Sequence, residues 1–116
     1  YPLFNNQQVS NTFIDELSLA LQKIIDNNQK GTFHISSTTT TTPFKIISYL
    51  LKKARGVENG VVGQTVEEFL QKTNSPSFRY PKYGGLKVEK TQQILDMKFS
   101  TSEELVDELV KQGIGR

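Results

Sequence analysis

Apolar residues recur at helical spacing near the start of the chain. Ile14, Leu17, Leu21, Ile24 and Ile25 fall on one face and predict a helix over residues 14–27. Asp15 and Glu16 suit the positive end of its dipole, and Asn27 to Gly31 end it. Before it, residues 1–12 are polar, rich in Asn and Gln, and read as an extended lead-in. Thr32, Phe33, His34, Ile35 and Ser36 then alternate between polar and apolar positions, which predicts a short strand.

A low-complexity Ser/Thr run over residues 36–42 follows and reads as a polar loop. Thr42 before Pro43 is a helix start, because the hydroxyl can cap a free amide and proline lacks no useful donor there. That helix is expected over residues 43–55, with Phe44, Ile47, Leu50, Leu51 and Ala54 inward and Gly56 as the stop. Residues 60–63 predict a second short strand. Thr65 and Glu68 match a capping box ahead of a short helix carrying Phe69 and Leu70. Residues 74–85 form a loop with two prolines and a Gly-Gly pair, and residues 87–95 suggest another short helix. Overlapping capping boxes at residues 100–104 open a last helix with Leu105, Val106, Leu109 and Val110, which Gly113 ends.

This order predicts an α/β fold: a small, mostly parallel sheet of short strands with four to five helices. The expected crossover joins strands 32–36 and 60–63 through the helix between them. No repeat of fixed period is visible.

Composition narrows the picture. With 116 residues the chain makes one domain, residues 1–116. Only 35% of residues are hydrophobic, so the core must be thin and some apolar surface is expected to face a neighbour. A net charge of +2 is too weak to argue for nucleic acid or a membrane surface as a partner; no membrane is expected, and nucleic acid is not the favoured partner. There is no cysteine, which excludes disulfides and thiolate metal sites and fits a cytoplasmic location. No apolar run is long enough to span a bilayer.

Candidate chemistry is sparse. His34 is the one histidine, with no second metal ligand near it in sequence, and reads as structural or substrate-facing rather than catalytic. The Ser/Thr run leads into a helix N-terminus, where an anion could sit, but lacks the glycines that wrap a phosphate. Lys45, Lys52, Lys53 and Arg55 make one helix basic, and adjacent Lys52 and Lys53 diverge, so a solvated helix face is the favoured reading. Phe78, Arg79, Tyr80, Lys82 and Tyr83 interleave aromatic and basic residues, as a stacking surface for a nucleotide or single-stranded nucleic acid does, or as a loop packed by its own aromatics does. The paired acids at 67–68 and 103–104 are helix-start charges, not an acid/base dyad.

Three motifs carry a resemblance. The segment from Asn6 to Ser18 shares Gln7, Thr12, Phe13 and Leu17 with the pattern D-Q-x-G-x-P-T-[YF]-x-x-D-L-A, and departs from it at Asn6, Val9, Asn11 and Glu16. Gly31, Phe33 and His34 match G-x-[YF]-H-x-x-G-x-x-x-S, with Ser37 replacing its second glycine. Pro81, Leu86 and Lys90 match R-P-x-x-S-x-L-D-x-x-K, with Tyr80, Gly84 and Lys87 replacing its Arg, Ser and Asp, and Arg79 one place before the lost Arg. These patterns resemble the C-terminal part of extended short-chain dehydrogenases/reductases, in particular the dTDP-4-dehydrorhamnose reductase group. The resemblance implies a substrate-binding part of a longer NAD(P)-dependent sugar-nucleotide oxidoreductase, an expectation that a start at Tyr1 without methionine agrees with. It implies a separate N-terminal Rossmann domain that holds NAD(P) and a Tyr-x-x-x-Lys pair, so no catalytic residue, cofactor or metal is expected in these residues. It implies a nucleotide-sugar surface near Gln7, Ser10, Thr12, Arg79 and Tyr80. Two other readings stay open: a non-catalytic superfamily member serving as a regulatory or protein-binding subunit, and a nucleic-acid-binding module.

Overall fold

The computed structural model describes residues 2–113. Its elements run β1 (Leu3–Phe4), α1 (Ile14–Asp26), α2 (Pro43–Arg55), β2 (Gly63–Gln64), α3 (Val66–Thr73), a 3-10 turn (Ser77–Arg79), α4 (Glu89–Leu95) and α5 (Ser102–Lys111). β1 and β2 pair in parallel, Leu3 opposite Gly63 and Phe4 opposite Gln64. The α/β class with a small parallel sheet and five helices is therefore as the sequence predicts. No helix among the described residues is long and apolar enough to cross a membrane.

The helix starts follow local chemistry. Thr42 accepts from the Lys45 amide with Pro43 in the first turn, and Gly56 ends α2 in the left-handed region at φ 65°. Thr65 with Glu68, and Thr101 with Glu104, form complete capping boxes.

The strand positions need correction. Residues 32–36 form no strand, because no segment of the described chain pairs with them. The partner of β2 is instead the lead-in, at Leu3–Phe4, and β2 itself begins at Gly63. The expected crossover from 32–36 through α2 thus does not form. The inward face of α1 also differs. Ala20 is fully buried, with Leu17 and Ile24 half-buried beside it, while Ile14, Leu21 and Ile25 are 65%, 47% and 75% exposed. Small Ala20 lets α1 approach Val88, Leu95 and Phe99 closely, and that contact, rather than total hydrophobicity, sets the helix rotation.

Packing is spread over separate centres. Ala20, Val88, Leu95 and Phe99 form one, with Ile24, Ile35 and Met97 against it. Leu105 and Val106 of α5 are buried where α5 meets α2. Tyr49 of α2 donates a 2.8 Å hydrogen bond to Asp107 of α5, and this bond pushes the phenol up to about 12. Phe4, Phe69 and Tyr80 form the third centre as an edge-to-face triangle with centroids 5.0–6.0 Å apart. The molecule is a plate of 48 × 36 × 16 Å.

The Ser/Thr run is solvated only in its middle, at Thr38, Thr39 and Thr40. Ser36, Ser37 and Thr42 are buried. Ser37 Oγ accepts from the Asn11 amide at 3.2 Å and donates to the Thr39 carbonyl at 2.9 Å. Thr39 Oγ1 accepts from the Ser102 amide at 3.0 Å. Glu16 reaches across to accept from the Ser100 amide and hydroxyl, at 3.0 and 2.8 Å. Hydroxyls thus tie the lead-in, the loop before α2 and the start of α5 together.

Ser37→Ala removes the acceptor of a buried amide, and such a loss costs about 1–3 kcal/mol. We expect the urea midpoint to fall accordingly, while Thr38→Ala, at an exposed side chain, shifts stability by less than ~0.5 kcal/mol. Equal midpoints for the two variants contradict the role given to Ser37.

Candidate functional site: the seam between the lead-in and loop 76–86

The lead-in has no helical spacing of apolar residues, and its backbone groups find partners elsewhere. They find them in the loop that precedes α4. The Gln8 amide donates to the Lys82 carbonyl at 2.7 Å, and the Gly84 amide returns to the Gln8 carbonyl at 2.7 Å. Gln7 Nε2 donates to the Pro81 carbonyl at 3.0 Å. Ser10 Oγ accepts from the Leu86 amide at 3.1 Å. A Cβ on Gly85 would collide with the Thr40 side chain, and one on Gly84 would stand 3.2 Å from the Gln8 carbonyl. The Gly-Gly pair is there because the loop lies directly against the lead-in and the Thr run.

Asn6 anchors the other end of the seam. Its Oδ1 accepts from the Val66 amide at 2.9 Å, filling an open donor at the start of α3. Its Nδ2 donates to Glu67 at 2.7 Å, and Lys82 Nζ meets the other Glu67 oxygen at 3.1 Å. The hydrogen bond from Asn6, the backbone amide of Glu67 and Lys82 together hold this carboxyl down at about 2. Asn6 was not singled out by sequence reading, which saw only that it replaces an Asp. A polar side chain next to Gln7 in an extended segment was the available signal.

Gln7 and Ser10 bond to loop 76–86, and Tyr80 of that loop packs against Phe4 of the lead-in, while the side chain of Arg79 lies by Phe78 of the same loop. Thr12 lies apart from it, donating to the Ile35 carbonyl at 2.9 Å. Tyr80 has its ring packed against Phe4 and Phe69. The exposed ring of the loop is Tyr83, 81% exposed, and Arg79 extends along the equally exposed Phe78 with its guanidinium 6.0 Å from the ring centre. Gln7 keeps its Oε1 acceptor and Ser10 its hydroxyl proton, since the bonds above use the other half of each group. The loop side of the seam carries an exposed cation, Arg79, and two exposed rings, Phe78 and Tyr83, and Gln7 and Ser10 add two polar atoms.

A second concavity, about 630 Å³, lies between α2 and α5, with Phe44, Lys45, Tyr49, Lys52 and Glu103 among its lining residues. Its charges are of both signs. His34 is exposed, and no cluster of three metal-ligating side chains occurs among the described residues.

α2, α3 and α5 each begin at a threonine whose hydroxyl accepts an N-terminal amide, whereas α1 and α4 begin without a side-chain cap.

No family model matches the chain, and no curated protein matches it. The fold is similar to that of dTDP-4-dehydrorhamnose reductase from Bacillus anthracis str. Ames, solved at 2.65 Å in complex with NADP: the TM-score is 0.78 at 19% sequence identity. The match covers 97% of this chain and spans 38% of the length of that one. At that identity the likeness is one of fold.

The seam makes a prediction about pH. Glu67 has a depressed pKa in the folded chain, so its contribution is complete above the usual value of 4.5 and is lost as pH falls through about 2. Carbon-detected NMR of the Glu67 carboxyl should give a midpoint near 2. Asn6→Ala removes the largest cause and should raise it towards the ordinary glutamate range. An ordinary midpoint in the unaltered chain contradicts the bond network.

Proposed function

We propose that this chain is the substrate-binding, C-terminal part of an NAD(P)-dependent sugar-nucleotide oxidoreductase similar to dTDP-4-dehydrorhamnose reductase. The observation that carries the reading is the seam, in which segments matching two of the three family motifs are hydrogen-bonded to each other. The likeness of fold supports the same reading. The substrate is a nucleotide-linked sugar. Arg79 offers its planar fork of donors to the diphosphate. Tyr83 is the ring free to stack on the base. Gln7 and Ser10 hold the loop and add the acceptor and the proton they have left. Tyr80 and Thr12 act from behind, Tyr80 through the aromatic triangle and Thr12 through the Ile35 carbonyl. The cofactor belongs to another unit of the parent protein, and with it the proton relay and the reduction of the sugar carbonyl.

A second reading, a non-catalytic regulatory or protein-binding subunit of the same superfamily, draws on the replacement of the motif's Arg, Ser and Asp by Tyr80, Gly84 and Lys87.

Two measurements test the proposal. NMR titration with dTDP should move resonances of Gln7, Ser10, Arg79 and Tyr83, and Arg79→Ala should weaken binding about tenfold, which is ~1.4 kcal/mol. Shifts confined to the C-terminal end of α2 instead point to a nonspecific anion patch. The chain alone should oxidise neither NADH nor NADPH in the presence of dTDP-4-keto sugars, and the parent protein should oxidise one of them. A parent that binds dTDP without turnover favours the regulatory reading.

A further inference from the structure

Among the described residues, the non-glycine positions of positive φ are Asn28, Asn59, Asn74 and Asp96. Asn28, Asn74 and Asp96 follow helix ends, and their amides bond back to the carbonyls of Ile25, Leu70 and Gln92. Asn59 stands apart from them. It lies in the loop between α2 and β2, at φ 56°. Neither its backbone nor its side chain makes a hydrogen bond, and the amide of Gly60 makes none. Both residues are exposed. Asn59 is also the one asparagine of the chain that a glycine follows.

The fold favours each residue of this pair for its own reason. The left-handed region is strained for most side chains and is visited most readily by glycine, asparagine and aspartate. Asparagine thus suits position 59. A Cβ at residue 60 would stand 2.9 Å from Val57 Cγ1 and 3.3 Å from Leu51 Cδ1. The loop therefore returns to the end of α2 too closely for a side chain at Gly60.

The two choices together create a labile bond. An asparagine side-chain carbonyl carbon can close a five-membered ring onto the next backbone nitrogen, one source of the thermal lability of this residue. A side chain on the next residue crowds that nitrogen, and a hydrogen bond from its N–H holds it away. Gly60 has neither.

We propose that Asn59 is a site of spontaneous modification, converted by water through a succinimide to aspartate and isoaspartate. The Gly60 nitrogen attacks Asn59 Cγ and forms the N–Cγ bond. The Cγ–Nδ2 bond breaks, and Nδ2 leaves as ammonia with the proton that Gly60 gives up. Water then adds to one of the two ring carbonyls, the C–N bond there breaks, and the nitrogen regains a proton. Opening at Cγ leaves aspartate. Opening at the backbone carbonyl leaves isoaspartate, whose main chain runs through Cγ. Nothing is oxidised or reduced, and water is the one co-reactant. The site is independent of the functional reading above.

Both products alter the loop. Each adds a carboxylate beside Glu58, which lies 3.7 Å from Lys52, and lowers the net charge of +2 by one. Isoaspartate also lengthens the main chain by one carbon, shortly before Val62. The Val62 carbonyl accepts from the Leu3 amide at 2.8 Å, where the pairing of β1 with β2 begins. A pairing of two residues has little to keep its register once one end shifts. Modification of Asn59 therefore loosens the start of the lead-in.

Incubating the chain in mildly alkaline buffer and locating the products by electron-transfer mass spectrometry tests this. Asn59 should convert before any other asparagine, with isoaspartate fragments at that position. Its rate in the folded chain should lie within ~10-fold of its rate in urea, because no bond of the fold has to open first. Asn59→Gly suits the left-handed turn, so it should keep the urea midpoint and remove the modification from this loop. In the isoaspartate form the Leu3 amide should exchange at least ~10-fold faster than in fresh chain. Asn59→Asp carries the charge without the longer main chain and should exchange as fresh chain does. Earlier conversion of Asn28 or Asn74 overturns the site, and so does folded-state conversion more than ~10-fold slower than in urea. Equal Leu3 exchange in fresh and isoaspartate chains overturns the link to the strand pairing. Fast exchange in Asn59→Asp overturns the main-chain account of it.

Discussion

The structure depends on one extended stretch of backbone, residues 3–12, and on the need of its amides and carbonyls for partners. Leu3 and Asn5 bond to the residues around β2, Gln8 to the loop before α4, Val9 to Thr41 in both directions, and Asn11 to Ser37. Segments far apart in sequence meet because each pairs with the same strip. Two-residue strands at Leu3–Phe4 and Gly63–Gln64 are too short to hold a sheet by themselves. They persist because the rest of the strip continues the contacts beyond the sheet, and because Asn6 adds a side-chain cap to α3 immediately after β2.

A spine of this kind produces a flat molecule. Helices attach on either side of the strip, and few of them pack on one another over their length. α2 has no fully buried residue, and α1 has only Ala20. The low apolar content is matched to this shape, since a plate 16 Å thick has little interior to fill. Buried hydroxyls do part of the work that side-chain packing does in a thicker domain. Ser37, Thr39 and Ser102 form a knot with every polar group named in it bonded, which is the condition under which burying such groups is not costly.

Local rules were legible in the sequence. Thr42 with Pro43, Thr65 with Glu68, Thr101 with Glu104 and the stop at Gly56 all act within four residues of themselves, and all are found where the sequence places them. Partner-dependent features were not. Alternation at residues 32–36 was visible, but a strand is a relation between two segments, and no described segment pairs with this one. The rotation of α1 was misread because Ile14, Leu21 and Ile25 outweigh Ala20 in hydrophobicity, while close approach at Ala20 decides the packing. The Thr run looked solvated because a hydroxyl's bonds are invisible in sequence. The seam was half legible: Gln7, Ser10 and Arg79 came from motif resemblance, whereas Asn6 and the reason for Gly85 required the fold.

The departures from the reductase motif gain a physical meaning from the seam. Where the family has an arginine, this chain has Tyr80, and its ring closes the triangle with Phe4 and Phe69 beneath the loop. Where the family has a serine, it has Gly84, whose amide bonds to Gln8 and whose missing side chain lets the two backbones approach. Both replacements supply a contact that fixes the loop. A loop already ordered by its own bonds loses less freedom when a ligand arrives, so fewer ligand contacts suffice for a given affinity. Arg79 stands one residue before the packed Tyr80, at the end of the 3-10 turn, and its exposed guanidinium lies 6.0 Å from the Phe78 ring centre.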